Sequence, residues 1–234
     1  MSAAEVGVAP PVRHTIDPEG ALVCDFVNGE LMHPDAISGH PERIRQIVAT
    51  IKVAHDRAVF RNEIRIFEML RRYAEIADEV GATLFPGIEE MLRVCADIEA
   101  AMERDVPRPV AAHNDLFSEN FIVDADERIW VIDREYGGTT DLYFGLGDFV
   151  MEHPFTREEQ RLVLKSYCGH MDEHRFTRMM LHRFMSATWW AVWATIQQTL
   201  SQIELDYVAW GTERLRRARD TRADPDHSRW MAVV

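Results

Sequence analysis

Two short β-rich runs set inside an otherwise helical pattern constrain this chain more than any other feature. Asn120 to Val123 and Arg128 to Ile132 are joined by the polar turn Asp124-Ala125-Asp126-Glu127, a combination that reads as a hairpin. The surrounding sequence repeats at helical spacing. Ile44, Ile47, Val48, Ile51 and Ala54 mark a helix from Pro41 to Phe60, and Ile64, Phe67, Leu70, Tyr73 and Ala77 mark another from Glu63 to Val80, stopped by Gly81. A third is expected from Glu89 to Met102, before Pro107 and Pro109, and others at 156–168, 173–200 and 202–220, the middle one apolar on most sides and so buried. Upstream, Gly20 to Val27 reads as a strand that closes on the Asn28-Gly29 turn. The fold class expected is α+β, a mainly helical body carrying one hairpin.

With 234 residues and 47% hydrophobic content, the chain can bury a sizeable core. Its net charge of −13 opposes the attraction to phosphate backbones on which nucleic-acid binding relies, so no nucleic-acid partner is expected. Arg214, Arg216, Arg217, Arg219 and Arg222 read as a solvated helix end. Cys24, Cys95 and Cys168 are odd in number and far apart, which suggests neither a disulfide framework nor a zinc knuckle and fits a reducing, cytoplasmic setting. The most apolar run, Phe184 to Ile196, is shorter than the roughly 18 residues of a spanning helix, and no export signal is read at the N-terminus. No membrane association is expected, and the oligomeric state is not legible.

The hairpin matters because of what flanks it: His113-Asn114-Asp115-Leu116-Phe117-Ser118-Glu119-Asn120 before, Val131-Ile132-Asp133-Arg134-Glu135-Tyr136 at its end. Phosphoryl transfer asks a protein mainly to place a carboxylate beside an acceptor hydroxyl and to hold Mg²⁺ against nucleotide phosphates. Asp115 would take the proton, Asn120 would offer a neutral amide oxygen to the metal, and Asp133 an anionic one. The hairpin folds Asp133 back beside the loop carrying the other two. Taken singly, Asp115 and Asn120 read as turn formers and Asp133 as a strand end; the joint spacing favours the chemical reading. His113 reads as a structural hydrogen-bonding residue.

Two other patterns stand out. Trp190 and Trp193, three apart on one helix, share a face, with Trp210 on the next helix; such rings either pack a core or hold a quaternary ammonium by cation–π attraction. Trp189 reads as core. His170-Met171-Asp172-Glu173-His174 fits the H-x-x-E-H order of a zinc hydrolase, although Gly169 and Asp172 suggest a helix junction there.

At His113 to Asn120 and Ile132 to Tyr136 the chain resembles the choline/ethanolamine kinase branch of the aminoglycoside phosphotransferase, protein-kinase-like superfamily, whose pattern is H-N-D-L-x-x-x-N, a hairpin, then I-D-x-E-Y. The resemblance covers roughly residues 3–215. It implies a remnant of the small lobe and hinge strand over 1–29, a helical large lobe over 30–220 and a tail over 221–234. It implies ATP as phosphoryl donor, Mg²⁺, and a small amino alcohol such as choline or ethanolamine as acceptor. Asp115 would be the catalytic base, Asn120 and Asp133 the magnesium ligands, and the backbone around Asp25 and Val27 the adenine contact. Glu152, Trp190, Trp193 and Trp210 fall at the family's acceptor site, with Tyr136 as a further wall. The chain departs from the family in three places. Its two lysines, Lys52 and Lys165, both follow the hinge, leaving Arg13 as the upstream cation; Gly145 replaces an aspartate that braces the catalytic loop, with Asp141 and Asp148 the candidates for that role; and Arg134 replaces an aromatic residue, a change that also fits an acidic acceptor. Weak nucleotide binding is the expectation for the chain as it stands, either as an impaired remnant that binds a small amine or partner or as the bulk of a longer reading frame.

Overall fold

The computed structural model describes residues 2–16, 21–103 and 105–234. The expected hairpin is present: β5 (Phe121–Asp124) and β6 (Ile129–Val131) pair antiparallel, and β3 (Gly29–Leu31) adds a third strand along β5. Two further antiparallel pairs were not expected, β1 (Val12–Ile16) with β2 (Ala21–Cys24) and β4 (Val110–Ala112) with β7 (Gly138–Thr140). The strand read over 20–27 is thus shorter, and its first residue, Gly20, lies outside the described residues. The β1–β2 hairpin is exposed along its length.

The helices α1 (Pro41–Arg57), α2 (Ile66–Glu79), α3 (Ile88–Met102), α5 (Arg157–Cys168) and α6 (Glu173–Leu200) follow the sequence pattern closely. Each apolar stripe meets the core through the positions that defined it, among them Ile44, Ile47, Val48, Leu70 and Ala77. Helix α6 runs through the middle of the body and is buried from Phe176 to Ile196 with few breaks. Helix α7 (Tyr207–Arg222) starts later than expected, because the Asp206 carboxylate accepts from Ala209 N at 2.9 Å and caps it there.

One central helix was missed. Helix α4 (Leu142–Glu152) contains Gly145 and Gly147, which weaken any helical reading of the sequence. Asp141 caps it by accepting from Tyr143 N at 2.8 Å, and Gly147 allows it to lie directly on α6. A Cβ at Gly147 would stand 2.6 Å from Arg183 N and 2.7 Å from the His182 carbonyl carbon, both backbone atoms that cannot step aside. A Cβ at Gly145 would meet only Ala112 Cβ at 3.8 Å and His55 Nε2 at 3.9 Å. Gly147→Ala should therefore lower unfolding free energy by about 1–3 kcal/mol or more through overpacking, whereas Gly145→Ala should be neutral or gain up to about 1 kcal/mol of helix propensity. Urea-denaturation midpoints that are equal for the two variants would contradict this account of the α4–α6 crossing.

The expected tail over 221–234 needs correcting as well. It contains α8 (His227–Val233), whose Trp230 is buried at 3% exposure and enters the core, and Arg157 pairs with Asp224. A large aromatic ring supplies enough buried area to hold so short a helix in place. The arginine run is likewise more than a solvated end: Arg219 donates to Pro86 O at 2.5 Å, Arg222 pairs with Glu90, and Arg214 is buried. No described helix is long and apolar enough to cross a membrane.

Candidate active site

The segment after β4 turns sharply at Asn114, which takes a left-handed φ of 67°, a conformation Asn tolerates better than most residues. The two side chains before Asp115 use this turn to tie separate loops together. His113 Nε2 donates to Ile132 O at 2.7 Å and so fixes the end of the hairpin, one residue before Asp133. Asn114 Nδ2 donates to Tyr136 O at 2.9 Å and fixes the loop beyond it. With Nε2 carrying its proton and the ring fully enclosed, burial lowers the His113 pKa to about 3 and the imidazole stays neutral. It is a structural tie, as the sequence suggested.

Asp115 and Asn120 meet directly. Asn120 Nδ2 donates at 3.0 Å both to Asp115 O and to Asp115 Oδ2, closing the loop between them. With its nitrogen so committed, Asn120 has Oδ1 left to offer a cation, and Asp115 has Oδ1 left to face an acceptor. Asp133, exposed at φ 55°, is brought alongside by the Ile132 N to Asn120 O bond of 2.9 Å. Asp115 and Asn120 are in contact, and Asp133 follows the residue bonded to Asn120 O. Among the described residues no cluster of three or more His, Cys, Asp or Glu side chains is arranged to hold a metal. An Asn–Asp pair completed by phosphate and water oxygens is nevertheless a donor set suited to Mg²⁺.

Helix α4 supplies what the loop lacks at Gly145. Asp148, fully buried, accepts from Leu116 N at 2.6 Å through Oδ2, and through Oδ1 from Ser186 Oγ at 2.6 Å and Trp190 Nε1 at 2.9 Å. Asp148 therefore braces the loop between Asp115 and Asn120, and Asp141 does not: Asp141 caps α4 and pairs with Arg178 at 2.7 Å and His182 at 3.2 Å. Asp148 also joins the loop to the aromatic residues of α6. No local sequence signal could reveal this, because the three donors come from residues 116, 186 and 190.

The aromatic residues form a connected group. Ring centroids lie 5.0 Å apart for Tyr136 and Trp190, 5.6 Å for Trp190 and Trp193, and 5.4 Å for Trp193 and Trp210. Trp190 is only 4% exposed, so it backs the others instead of presenting a face; Trp193, Trp210 and Tyr136 are partly open. Trp189 is core, packed against Phe144 and Tyr73. Glu152 lies one turn beyond Asp148 on α4 and is buried against Arg214, whose Nη2 donates to its Oε2 at 2.6 Å.

The remaining residues fall away from this centre. Asp25 forms a two-bond pair with Arg13 at 2.5 and 2.6 Å, and its N–H donates to Pro11 O, while Val27 is half-buried beyond the exposed hairpin. Arg134 is largely enclosed with His55 and His113 around a cavity of about 10 Å³ behind the loop, and burial lowers its pKa to about 10. It therefore packs behind the loop and gives no sign of an acidic acceptor. His170 precedes the α6 cap Asp172, Glu173 is paired with Arg161 at 2.5 Å, and His174 stands 4.0 Å from Asp105. The zinc-hydrolase order is not carried on one helix.

Burial pushes the Asp115 pKa up to about 8, with the negative charges of Asp148 and Glu152 adding to the shift. Burial also raises Asp148, and it raises Glu152 to about 7 although Arg214 and Arg217 pull against it. Because these acids hold protons in the folded state that the unfolded chain releases near pH 4, their stabilisation is complete at low pH and is lost as pH rises through their folded values. Buried His55, His113 and His153, lowered to about 4, 3 and 4, act oppositely, destabilising the fold as pH falls below about 6.5. Above that pH the acids decide the sign. The melting temperature should fall between about pH 6.5 and 8, and Glu152→Gln should flatten the decline; a melting temperature that rises over this window would refute the assignment.

Comparison with known proteins identifies the family and the fold. The family model described as choline/ethanolamine kinase matches residues 17–219. The LicA protein of Haemophilus influenzae is 25% identical over 174 residues, covering 70% of this chain and 64% of its own length, so the chain spans less than two-thirds of that relative. A probable ethanolamine kinase of Arabidopsis thaliana is 31% identical over 120 residues, 43% of this chain and 32% of that protein. The crystal structure of a choline/ethanolamine kinase family protein from Mesorhizobium loti superposes with a TM-score of 0.89 at 26% identity, over 99% of this chain and 80% of the other. Loop, hairpin and helical body together place this chain in the choline/ethanolamine kinase family, with a protein-kinase-like α+β fold.

Proposed function

We propose that the chain carries the catalytic half of a phosphotransferase that moves the γ-phosphoryl group of ATP to the hydroxyl of a small amino alcohol such as choline or ethanolamine. The observation that carries this reading is the closed Asp115–Asn120 loop with Asp133 held beside it by the bond from Ile132 N to Asn120 O. In the proposed reaction the ionised form of Asp115, the minor one at neutral pH when its pKa stands near 8, accepts the hydroxyl proton through Oδ1 as the alcohol oxygen bonds to the γ-phosphorus and the bond to the ADP oxygen breaks. Magnesium, when bound, would rest on Asn120 and Asp133 and neutralise phosphate charge. The outward faces of Trp193, Trp210 and Tyr136 would receive the ammonium group, each worth about 0.5–2 kcal/mol, with Trp190 behind them. The backbone at Asp25 and Val27 would meet adenine, residues 1–29 forming the hinge side and 30–220 the acceptor side.

A second reading, a binder with impaired turnover, is favoured by one observation. Arg13, the cation upstream of the expected hinge, is engaged with Asp25, and both described lysines lie on helices of the large body, so no lysine stands on the 1–29 side to meet a phosphate. Incubation with Mg-ATP and choline or ethanolamine, followed by ³¹P NMR, separates the two. A new phosphomonoester signal at millimolar ATP is the expected result; no product with either alcohol would overturn the transferase reading. Calorimetry should give weak Mg-ATP affinity in either case.

A further inference from the structure

The acceptor side contains a cation of its own. Arg214 projects from α7 with its guanidinium carbon 4.0 Å from the centre of the Trp210 ring, while Nη2 donates to Glu152 Oε2 at 2.6 Å. Both partners are enclosed, with side-chain exposures of 6% for Arg214 and 2% for Glu152. A second guanidinium, on Arg217, stands 3.7 Å from the same carboxylate and donates to Met151 O and Glu152 O, fastening the last turn of α4. In this arrangement an aromatic face and a carboxylate already grip a cation, and that cation is a side chain.

We propose that Arg214, not the acceptor, is the counter-ion of Glu152, and that the pair is a positioning device which keeps α4 and the Trp210 ring in register while leaving the acceptor's ammonium to the open aromatic faces alone. The proposal rests on the amino-alcohol reading and refines it. The physical grounds are threefold. A carboxylate at 2% exposure with a bidentate-capable guanidinium on it has little desolvated valence left for a second cation. Arg214 takes one face of Trp210, and that face is not available to a second cation. Glu152 also shares α4 with Asp148, one turn earlier, which holds both Leu116 of the catalytic loop and Trp190. Compensating Glu152 from within therefore limits the repulsion between two buried carboxylates one turn apart on α4.

The experiment compares four proteins: the unmodified chain, Glu152→Gln, Arg214→Met and the double variant. Two readouts are taken on each, the melting temperature and, by tryptophan fluorescence, the affinities for choline and for its uncharged isostere 3,3-dimethyl-1-butanol. Measured at about pH 8, above the value of about 7 to which burial raises Glu152, Arg214→Met is expected to lose the most stability, because it strands a buried charge, and the double variant to recover part of that loss. The preference for choline over the isostere should persist within about threefold in Glu152→Gln, as expected for rings that supply the recognition. Additive melting-temperature losses would overturn the pairing, and a tenfold or greater loss of choline affinity (about 1.4 kcal/mol) in Glu152→Gln, with the isostere unaffected, would overturn the assignment of the ammonium to the rings. If the unmodified chain binds neither alcohol, the amino-alcohol reading fails, and so does the assignment to the rings that rests on it; the Arg214–Glu152 pairing is still decided by the melting-temperature cycle.

Discussion

Asp115→Asn should reduce kcat for alcohol phosphorylation by about 10²- to 10⁴-fold, the usual contribution of a positioned general base. The substitution retains the shape of the side chain and the acceptor oxygen needed by Asn120 Nδ2, so the loop closure at 3.0 Å can persist. It removes a partly buried carboxylate whose ionisation is resisted by burial and by Asp148 and Glu152. Stability should therefore hold or rise slightly while turnover collapses. The check is a steady-state assay beside a urea titration. Turnover within threefold of the unmodified chain would remove Asp115 from the role of base, and a lost urea transition would mean that the loop, not the chemistry, had failed.

Arg178→Met should have the largest effect on stability, about 3–5 kcal/mol, because it leaves the enclosed Asp141 carboxylate with His182 as its remaining charged partner and Asp105 O without its donor. Arg178 Nε and Nη2 both donate to Asp141 Oδ2, at 3.0 and 2.7 Å, and Nη1 donates to Asp105 O at 2.6 Å. One side chain of α6 thus fixes the cap of α4 and the loop after α3. Burial pushes Asp141 upward, but His182 and Arg178 outweigh it and hold the carboxyl down at about 2. That contribution is present above the ordinary carboxylate pKa near 3.8 and is lost as pH falls toward 2. Denaturant unfolding at neutral pH measures the loss, and Asp141→Asn in the Arg178→Met background should restore part of it. A loss under about 1 kcal/mol would place the pair among surface ion pairs of little energetic weight.

What could be read in advance follows from the range of the interactions. The hairpin and five helices were legible because apolar spacing and turn chemistry act over a few residues, and Asp115, Asn120 and Asp133 lie within one such stretch. Helix α4 was hidden by Gly145 and Gly147, whose low helix propensity is overridden by the fit of Gly147 against the α6 backbone. The tail was misread because the burial of Trp230 depends on where Arg157 and Phe176 lie, not on its neighbours in sequence. The tryptophans stood out by their spacing and Glu152 by resemblance, yet the surroundings of neither were legible: Trp190 is enclosed, and Glu152 is already paired with Arg214.

By itself the sequence determined the fold class and singled out the loop from His113 to Asn120 with its hairpin, since both are written in periodicities and spacings shorter than about two dozen residues. The tertiary structure decided the rest: that Asp148 braces the loop in place of a residue at 145, that Arg134 packs behind the loop, and that Arg214 satisfies Glu152 across 62 positions of chain. Such pairings depend on how helices cross, and helix crossing is set by side-chain volume and close backbone approach between segments remote in sequence.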